Sequence, residues 1–234
     1  MTNLISQAFK NDKKKLVTFV TGGDPDFKTS LQIINTIINN GADIMEIGMP
    51  FSDPMADGPT IQLSSNRAIS KGIDLENIFS LASEAKKTKS DLPIILMGYY
   101  NLILYFGIEK FVKKCKKKGV DGLIIVDLQP EEDEDLINEL KKNEIDLIRL
   151  ITPTTDEERL KLILKNASGF LYYVSVMGIT GQKSADLNEL KKSVAFIKKH
   201  TSLPVVPGFG IKNSTDVNNI CKICLLYTSP SPRD

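Results

Sequence analysis

A carboxylate interrupts one of the short apolar runs of the sequence. Glu46 stands in the run 43–47, on the same face of the predicted strand as Ile44 and on the face opposite to Met45. A buried carboxyl group is costly unless it is paired or used, and burial raises its pKa because it favours the neutral form. Such a group suits proton transfer near neutral pH. Position alone leaves a second interpretation equally open, in which a neighbouring backbone or hydroxyl group satisfies Glu46.

Two further carboxylates, Asp53 and Asp57, follow on the segment that leaves this strand. A carboxylate pair at the mouth of a barrel could do acid–base work. Asp-Pro and Asp-Gly are also ordinary turn pairs, and taken alone Asp53 and Asp57 favour that simpler interpretation.

Glycine pairs predict a phosphate site. Gly178 and Gly181 follow the sixth apolar run, and Gly208 and Gly210 follow the seventh. Glycine lets backbone N–H groups approach a phosphate closely, and a helix N-terminus adds a favourable dipole. Each pair alone also fits a simple turn, but two pairs after adjacent late strands favour phosphate binding.

The elements that must position these residues alternate regularly. Apolar runs typical of strands buried on both faces cover 16–20, 43–47, 94–97, 122–126, 147–151, 170–174 and 203–206. Amphipathic stretches lie between them, and Thr155 with Glu158 fits a helix capping box. Seven β-then-α units without a linker predict a closed barrel, whose functional residues collect at the carboxyl ends of the strands. The alternative, an open doubly wound sheet, would need a G-x-G-x-x-G turn after its first strand, and residues 21–25 do not match it.

Composition excludes several classes of function. The 234 residues carry 30 basic and 29 acidic side chains, so nothing attracts the chain to nucleic acid or to an anionic membrane. The three cysteines form no disulfide framework and fit a reducing cytoplasm. We interpret the C-x-x-C at Cys221 and Cys224 as a coincidence of spacing rather than as a redox or metal motif. With His200 as the single histidine, we expect no metal site. No apolar run approaches the roughly 20 residues of a membrane span.

The segment 50–59, PFSDPMADGP, resembles the signature of the tryptophan synthase alpha subunit family. Residues 19–25, 178–181 and 208–210 match the same family in the same order, and the resemblance extends to about Ile223. It implies a (β/α)8 TIM barrel and a carbon–carbon lyase of tryptophan biosynthesis. The implied reaction is a retro-aldol cleavage of indole-3-glycerol phosphate to indole and glyceraldehyde 3-phosphate.

The resemblance also implies roles for individual residues. Glu46 takes the place of the acid–base glutamate, and Asp57 that of the loop aspartate, which would accept a hydrogen bond from the indole N–H. Phe19 would line the indole pocket, and Tyr172 would help to hold the glutamate. The implied substrate-binding positions are Phe19, Tyr172, Gly181, Gly208 and Gly210.

The family further implies a partner, a pyridoxal-phosphate-dependent beta subunit in an alpha2-beta2 heterotetramer. The loops 50–59 and 176–185 would close over the substrate and face this partner. The resemblance implies no cofactor in this subunit.

The end of the chain breaks the pattern. Residues 224–234, here called the tail, are rich in Ser and Pro and resemble translated adapter read-through, with a genuine disordered tail as the alternative. We therefore expect one incomplete barrel domain over 1–223, without the eighth strand, its Gly-Ser phosphate turn and the final helices. We expect such a chain to have little or no activity, and clear indole release by a purified protein of this sequence would contradict this expectation. Re-sequencing the DNA beyond the codon for Ile223 tests the origin of the tail.

Two alternative functions remain open. One is another phosphate-binding barrel enzyme, but a synthase would need a lysine at a strand end and a metal-dependent epimerase would need histidines. The other is a catalytically silent barrel that binds and activates a partner subunit. The presence of both Glu46 and Asp57 favours the lyase over the silent barrel.

Overall fold

The apolar runs of the sequence form the strands of a closed barrel in the computed structural model, which describes residues 3–10, 14–174, 187–208 and 226–229. Each strand pairs in parallel with the next, and the last pairs with the first. The strands are β1 (Lys15–Thr21), β2 (Ile44–Gly48), β3 (Ile94–Gly98), β4 (Gly122–Ile125), β5 (Asp146–Ile151), β6 (Leu171–Val174), β7 (Val205–Gly208) and β8 (Leu226–Ser229). The predicted TIM barrel and its seven predicted strands are confirmed.

The amphipathic stretches form the outer helices. The carboxylate of Asp156 accepts a hydrogen bond from the backbone N–H of Arg159 and begins α8, so the capping box predicted at Thr155 and Glu158 is wrong by one residue. The helices are α1 (Leu4–Ala8), α2 (Phe27–Asn39), α3 (Pro59–Ser70), α4 (Leu75–Thr88), α5 (Tyr100–Phe106), α6 (Ile108–Lys117), α7 (Glu134–Asn143), α8 (Glu157–Lys165) and α9 (Leu187–Lys198), with a 3₁₀ helix at Pro130–Glu132.

Alternate residues of the strands fill the inside of the barrel. Residues two apart on a strand share a face, so Glu46 points the same way as Ile44, into the interior. Helix α1 closes the amino-terminal end, because Ile5 is fully buried there and the side chain of Asn3 donates a 2.6 Å hydrogen bond to Asp146. The interior cluster consists of Ile5, Val17, Ile44, Ile95, Ile124, Ile148, Phe170 and Val206.

The eighth position of the barrel differs from our expectation. Leu226–Ser229 pairs in parallel with residues 15–18 of β1 and with Gly208 of β7. The prolines that argued against a strand, Pro230 and Pro232, stand after these four residues, so the paired backbone keeps its N–H donors. A short strand from the tail therefore occupies the position that we expected to be vacant. The origin of the tail as read-through stays a prediction.

Among the described residues, none of the helices combines the length and the apolar character that a membrane crossing needs.

Candidate active site

Glu46 lies at the centre of β2 and is fully buried. Neither of its carboxyl oxygens has a hydrogen-bond partner among the residues that the structure describes. Burial raises the pKa of Glu46 to about 8, because the charged form loses its solvation and gains no partner in return. The interpretation that a neighbour satisfies Glu46 is therefore not supported, and at neutral pH Glu46 is mostly a protonated acid.

Asp57 lies on the loop that follows β2, at the carboxyl end of the barrel. The hydroxyl group of Tyr99 donates a hydrogen bond to its Oδ2 atom at 3.1 Å. Burial raises the pKa of Asp57, and the hydrogen bond from Tyr99 acts in the opposite direction. Asp57 thus differs from Glu46 in having a donor that stabilises its ionised form.

Tyr99 is a site residue that the sequence did not single out. It directly follows β3, is 3% exposed, and its hydroxyl oxygen also accepts a hydrogen bond from the backbone N–H of Ala56 at 3.0 Å. Its position in the sequence could have indicated a functional role, because Tyr99 stands at the carboxyl end of a barrel strand, where functional residues collect. Its partner lies 42 residues away in the sequence, so the contact itself could not be read from local pattern.

Glycines make room for the two aromatic rings of the predicted site. Phe19 is the register partner of Glu46 on the neighbouring strand. A Cβ atom at Gly48 would lie 2.8 Å from Cζ of Phe19, and one at Gly208 would lie 2.1 Å from Cε1 of Tyr172. Gly208, which we predicted as a phosphate-binding position, therefore also admits the ring of Tyr172.

A small cavity opens at the mouth of the barrel beside these residues. Its free volume is about 20 Å³, which is room for roughly one water molecule. Glu46 does not line it, although Phe19 and Gly48 do. A substrate with an indole ring can enter only if side chains or the loop after β2 move. The lining residues are Phe19, Thr21, Gly48, Met49, Asp57, Ile61, Ser65, Met97, Gly98, Tyr99 and Val126.

Asp53 does not join the site. It is exposed and accepts a hydrogen bond from the hydroxyl group of Ser52 within the loop, as expected for turn chemistry. Gly181, Gly210 and the loop 176–185 lie outside the described residues. Within the described ranges, no group of three or more His, Cys, Asp or Glu side chains could hold a metal ion.

Comparison with known proteins shows the family to which the chain is similar. The family model described as tryptophan synthase alpha chain matches residues 5–225. Tryptophan synthase subunit alpha from Legionella pneumophila str. Paris is 34% identical with a TM-score of 0.91, over 98% of this chain and 87% of its own. A protein of Aquifex aeolicus VF5 is 37% identical with a TM-score of 0.90, over 98% and 89%. The aminoacrylate-bound form of tryptophan synthase from M. tuberculosis is 24% identical with a TM-score of 0.89, over 98% and 89%, a likeness of fold alone.

Proposed function

The chain belongs to the tryptophan synthase alpha chain family, whose members are lyases that release indole from indole-3-glycerol phosphate in tryptophan biosynthesis, and we propose that Glu46 and Asp57 carry out this reaction here. The observation that carries the proposal is the buried Glu46 carboxyl group, which has no hydrogen-bond partner among the described residues. A protonated acid held on a rigid strand is the group that a proton transfer to carbon requires.

Glu46 serves at both proton transfers of the retro-aldol cleavage. It begins protonated and gives its proton to C3 of the indole ring, which places a positive charge on the ring. The bond between C3 and the glycerol chain then breaks, and its electron pair neutralises the ring. The hydroxyl group on the departing carbon loses its proton to Glu46 as the aldehyde forms, so that the acid is restored. A pKa of about 8 suits a group that both donates and accepts a proton near neutral pH.

Asp57 stabilises the charge that develops on the ring. Its carboxylate accepts a hydrogen bond from the indole N–H, which becomes more acidic when C3 is protonated. This role requires the ionised form, and the donor hydroxyl of Tyr99 favours that form. The two carboxyl groups therefore act in opposite protonation states: burial keeps Glu46 protonated, and at Asp57 the hydroxyl of Tyr99 opposes the effect of burial.

The remaining predicted residues bind the substrate in this proposal. Phe19 lines the cavity at the mouth and would contact the indole ring, while Tyr172 packs beside Gly208 at the ends of neighbouring strands. Gly208, with Gly181 and Gly210, would bind the phosphate through backbone N–H groups. The small cavity supports a closing step, in which the loop 50–59 opens to admit the substrate and then excludes water.

The expectation of little or no activity had two reasons. One of them, an open barrel, no longer applies, because β8 closes the barrel. The other, an incomplete phosphate site, concerns residues outside the described ranges, and it stays a prediction.

The partner is a pyridoxal-phosphate-dependent beta subunit in an alpha2-beta2 assembly, and this subunit itself needs no cofactor. Met55, on the loop expected to face the partner, is 85% exposed, and Leu104 and Tyr105 of α5 are 52% and 92% exposed. Large apolar side chains exposed near the mouth fit a surface that a partner covers. The low cysteine content supports a cytoplasmic location.

Indole release from indole-3-glycerol phosphate tests the proposal, measured on the product of the re-sequenced gene with and without the beta subunit. Glu46→Gln should lower kcat by about 10²- to 10⁴-fold, because it removes the acid and keeps the shape. Asp57→Asn should lower it by about 10²- to 10³-fold, the effect of removing one charge stabiliser. Glu132→Gln and Asp53→Asn are the matched controls, since both change exposed carboxylates.

Binding of the beta subunit should survive in every variant. Undiminished cleavage by Glu46→Gln would overturn the assignment. If the unsubstituted protein activates the beta subunit but releases no indole, the silent-barrel alternative is correct.

A further inference from the structure

Tyr99 holds two consecutive residues of the loop after β2 with one hydroxyl group. The backbone N–H of Ala56 donates to its oxygen at 3.0 Å, and the hydroxyl donates to Oδ2 of Asp57 at 3.1 Å. An amide can only donate, and a phenol has one hydrogen to give. The direction of both bonds is therefore fixed when Asp57 is ionised, which orients the carboxylate.

The ring of Tyr99 also contacts the beginning of the same loop. Its centroid lies 5.1 Å from that of Phe51, at an interplanar angle of 32°. One buried side chain therefore touches the loop near both of its ends, at Phe51 and at Ala56 with Asp57. It is anchored in turn by its position directly between β3 and α5.

We propose that Tyr99 is a positioning residue, whose hydroxyl group fixes the loop at Ala56 and aims the carboxylate of Asp57 at the mouth of the barrel. This inference rests on the function proposed above for Asp57. Tyr99 would act on the reaction through Asp57 rather than by taking part in a proton transfer.

The charges around this pair support the inference. Burial raises the pKa of Asp57, and the hydrogen bond from Tyr99 opposes it. Burial is also the main cause that raises the pKa of Tyr99, and the negative charges of Asp57 and Asp127 add to it. The phenol consequently keeps its proton, and remains a donor, across the pH range in which Asp57 ionises.

The loop has other support that does not involve Tyr99. The backbone N–H of Asp57 donates to the carbonyl of Pro54 at 3.0 Å, and the side chain of Gln62 donates to the carbonyl of Asp57 at 2.8 Å. Tyr99→Phe keeps the ring and its contact with Phe51. We therefore expect this variant to fold and to lose chiefly the orientation and the ionised state of the Asp57 carboxylate.

The test compares Tyr99→Phe with Tyr100→Phe in the product of the re-sequenced gene. Tyr100 is the matched control, because the charges that act on its phenol are those of Asp135 and Glu132. For Tyr99→Phe we expect kcat for indole release to fall about tenfold, the effect of losing one hydrogen bond to a charged group. The acid limb of its pH profile should move to higher pH, because the pKa of Asp57 rises when the donor is lost. Amide hydrogen exchange at Ala56 should become faster, since that N–H loses its acceptor.

Further outcomes separate this inference from the function on which it rests. In an Asp57→Asn background, Tyr99→Phe should cause no further loss of kcat, whereas an undiminished tenfold loss there would overturn the inference. If Asp57→Asn lowers cleavage by about 10²- to 10³-fold while Tyr99→Phe behaves like Tyr100→Phe in rate and pH profile, the inference about Tyr99 fails and the proposed function stands. If Asp57→Asn cleaves at the original rate, the proposed function itself fails. Equal melting temperatures of the two Phe variants exclude unfolding as the cause.

Discussion

The buried Glu46 carboxyl group makes the stability of the protein depend on pH in a way that can be calculated. Its pKa rises from an ordinary value of 4.5 to about 8 on folding. Because the folded-state pKa is the higher one, the folded protein holds this proton more tightly than the unfolded chain. Stability is therefore lost as the pH rises from about 4.5 to about 8. At 1.36 kcal/mol per pH unit, the cost is about 1 kcal/mol at pH 5, about 3 kcal/mol at pH 7 and about 5 kcal/mol at pH 9.

Glu46→Gln removes this dependence, because an amide of the same shape stays neutral at every pH. We expect the variant to be more stable than the parent protein, with a difference in the free energy of unfolding that widens by about 4 kcal/mol between pH 5 and pH 9. Urea denaturation of both proteins at several pH values measures this difference, and all other titrating groups cancel. Glu132→Gln, at an exposed position, should show no such widening. A constant difference between Glu46→Gln and the parent protein over this range would refute the reasoning.

Three further substitutions test the packing of the barrel. Gly48→Ala places a Cβ atom 2.8 Å from the ring of Phe19, so the ring must shift. We expect a raised KM for indole-3-glycerol phosphate in steady-state assays, and a loss of about 1–3 kcal/mol in the free energy of unfolding. Asp133→Asn leaves Arg149, 5% exposed, without its buried ionic partner, and should cost about 3–5 kcal/mol in urea denaturation. Ile5→Ala opens the closed amino-terminal end of the barrel and should cost about 2–5 kcal/mol by the same measurement.

Most of the barrel could be predicted from the sequence, because strands buried on both faces have a distinctive composition. Each predicted run coincides with a strand to within a few residues. Helix starts were less certain, since Thr155 and Asp156 are both good capping residues and only the backbone geometry selects Asp156. The strand at Leu226–Ser229 was missed because the prolines beyond it dominated the pattern, while its pairing with β1 depends on residues that lie far away in the sequence.

The site was predictable where one residue was anomalous for its surroundings. Glu46 stood out as a carboxylate in a buried strand, and its burial follows directly from that position. The contacts that tune the site were not predictable. The hydrogen bond from Tyr99 to Asp57 joins residues on different strand-to-helix connections, and the contact between Gly208 and Tyr172 depends on the register of two strands.

The pH dependence of indole release from indole-3-glycerol phosphate tests the central claim most directly, measured as kcat/KM from about pH 5 to about pH 10 on the product of the re-sequenced gene. If Glu46 must begin the reaction protonated, kcat/KM should fall as the pH rises through about 8, the value to which burial raises its pKa. Glu46→Gln should lower release by about 10²- to 10⁴-fold at every pH. No release of indole, or a rate that stays level through pH 8 and persists in Glu46→Gln, would contradict the account.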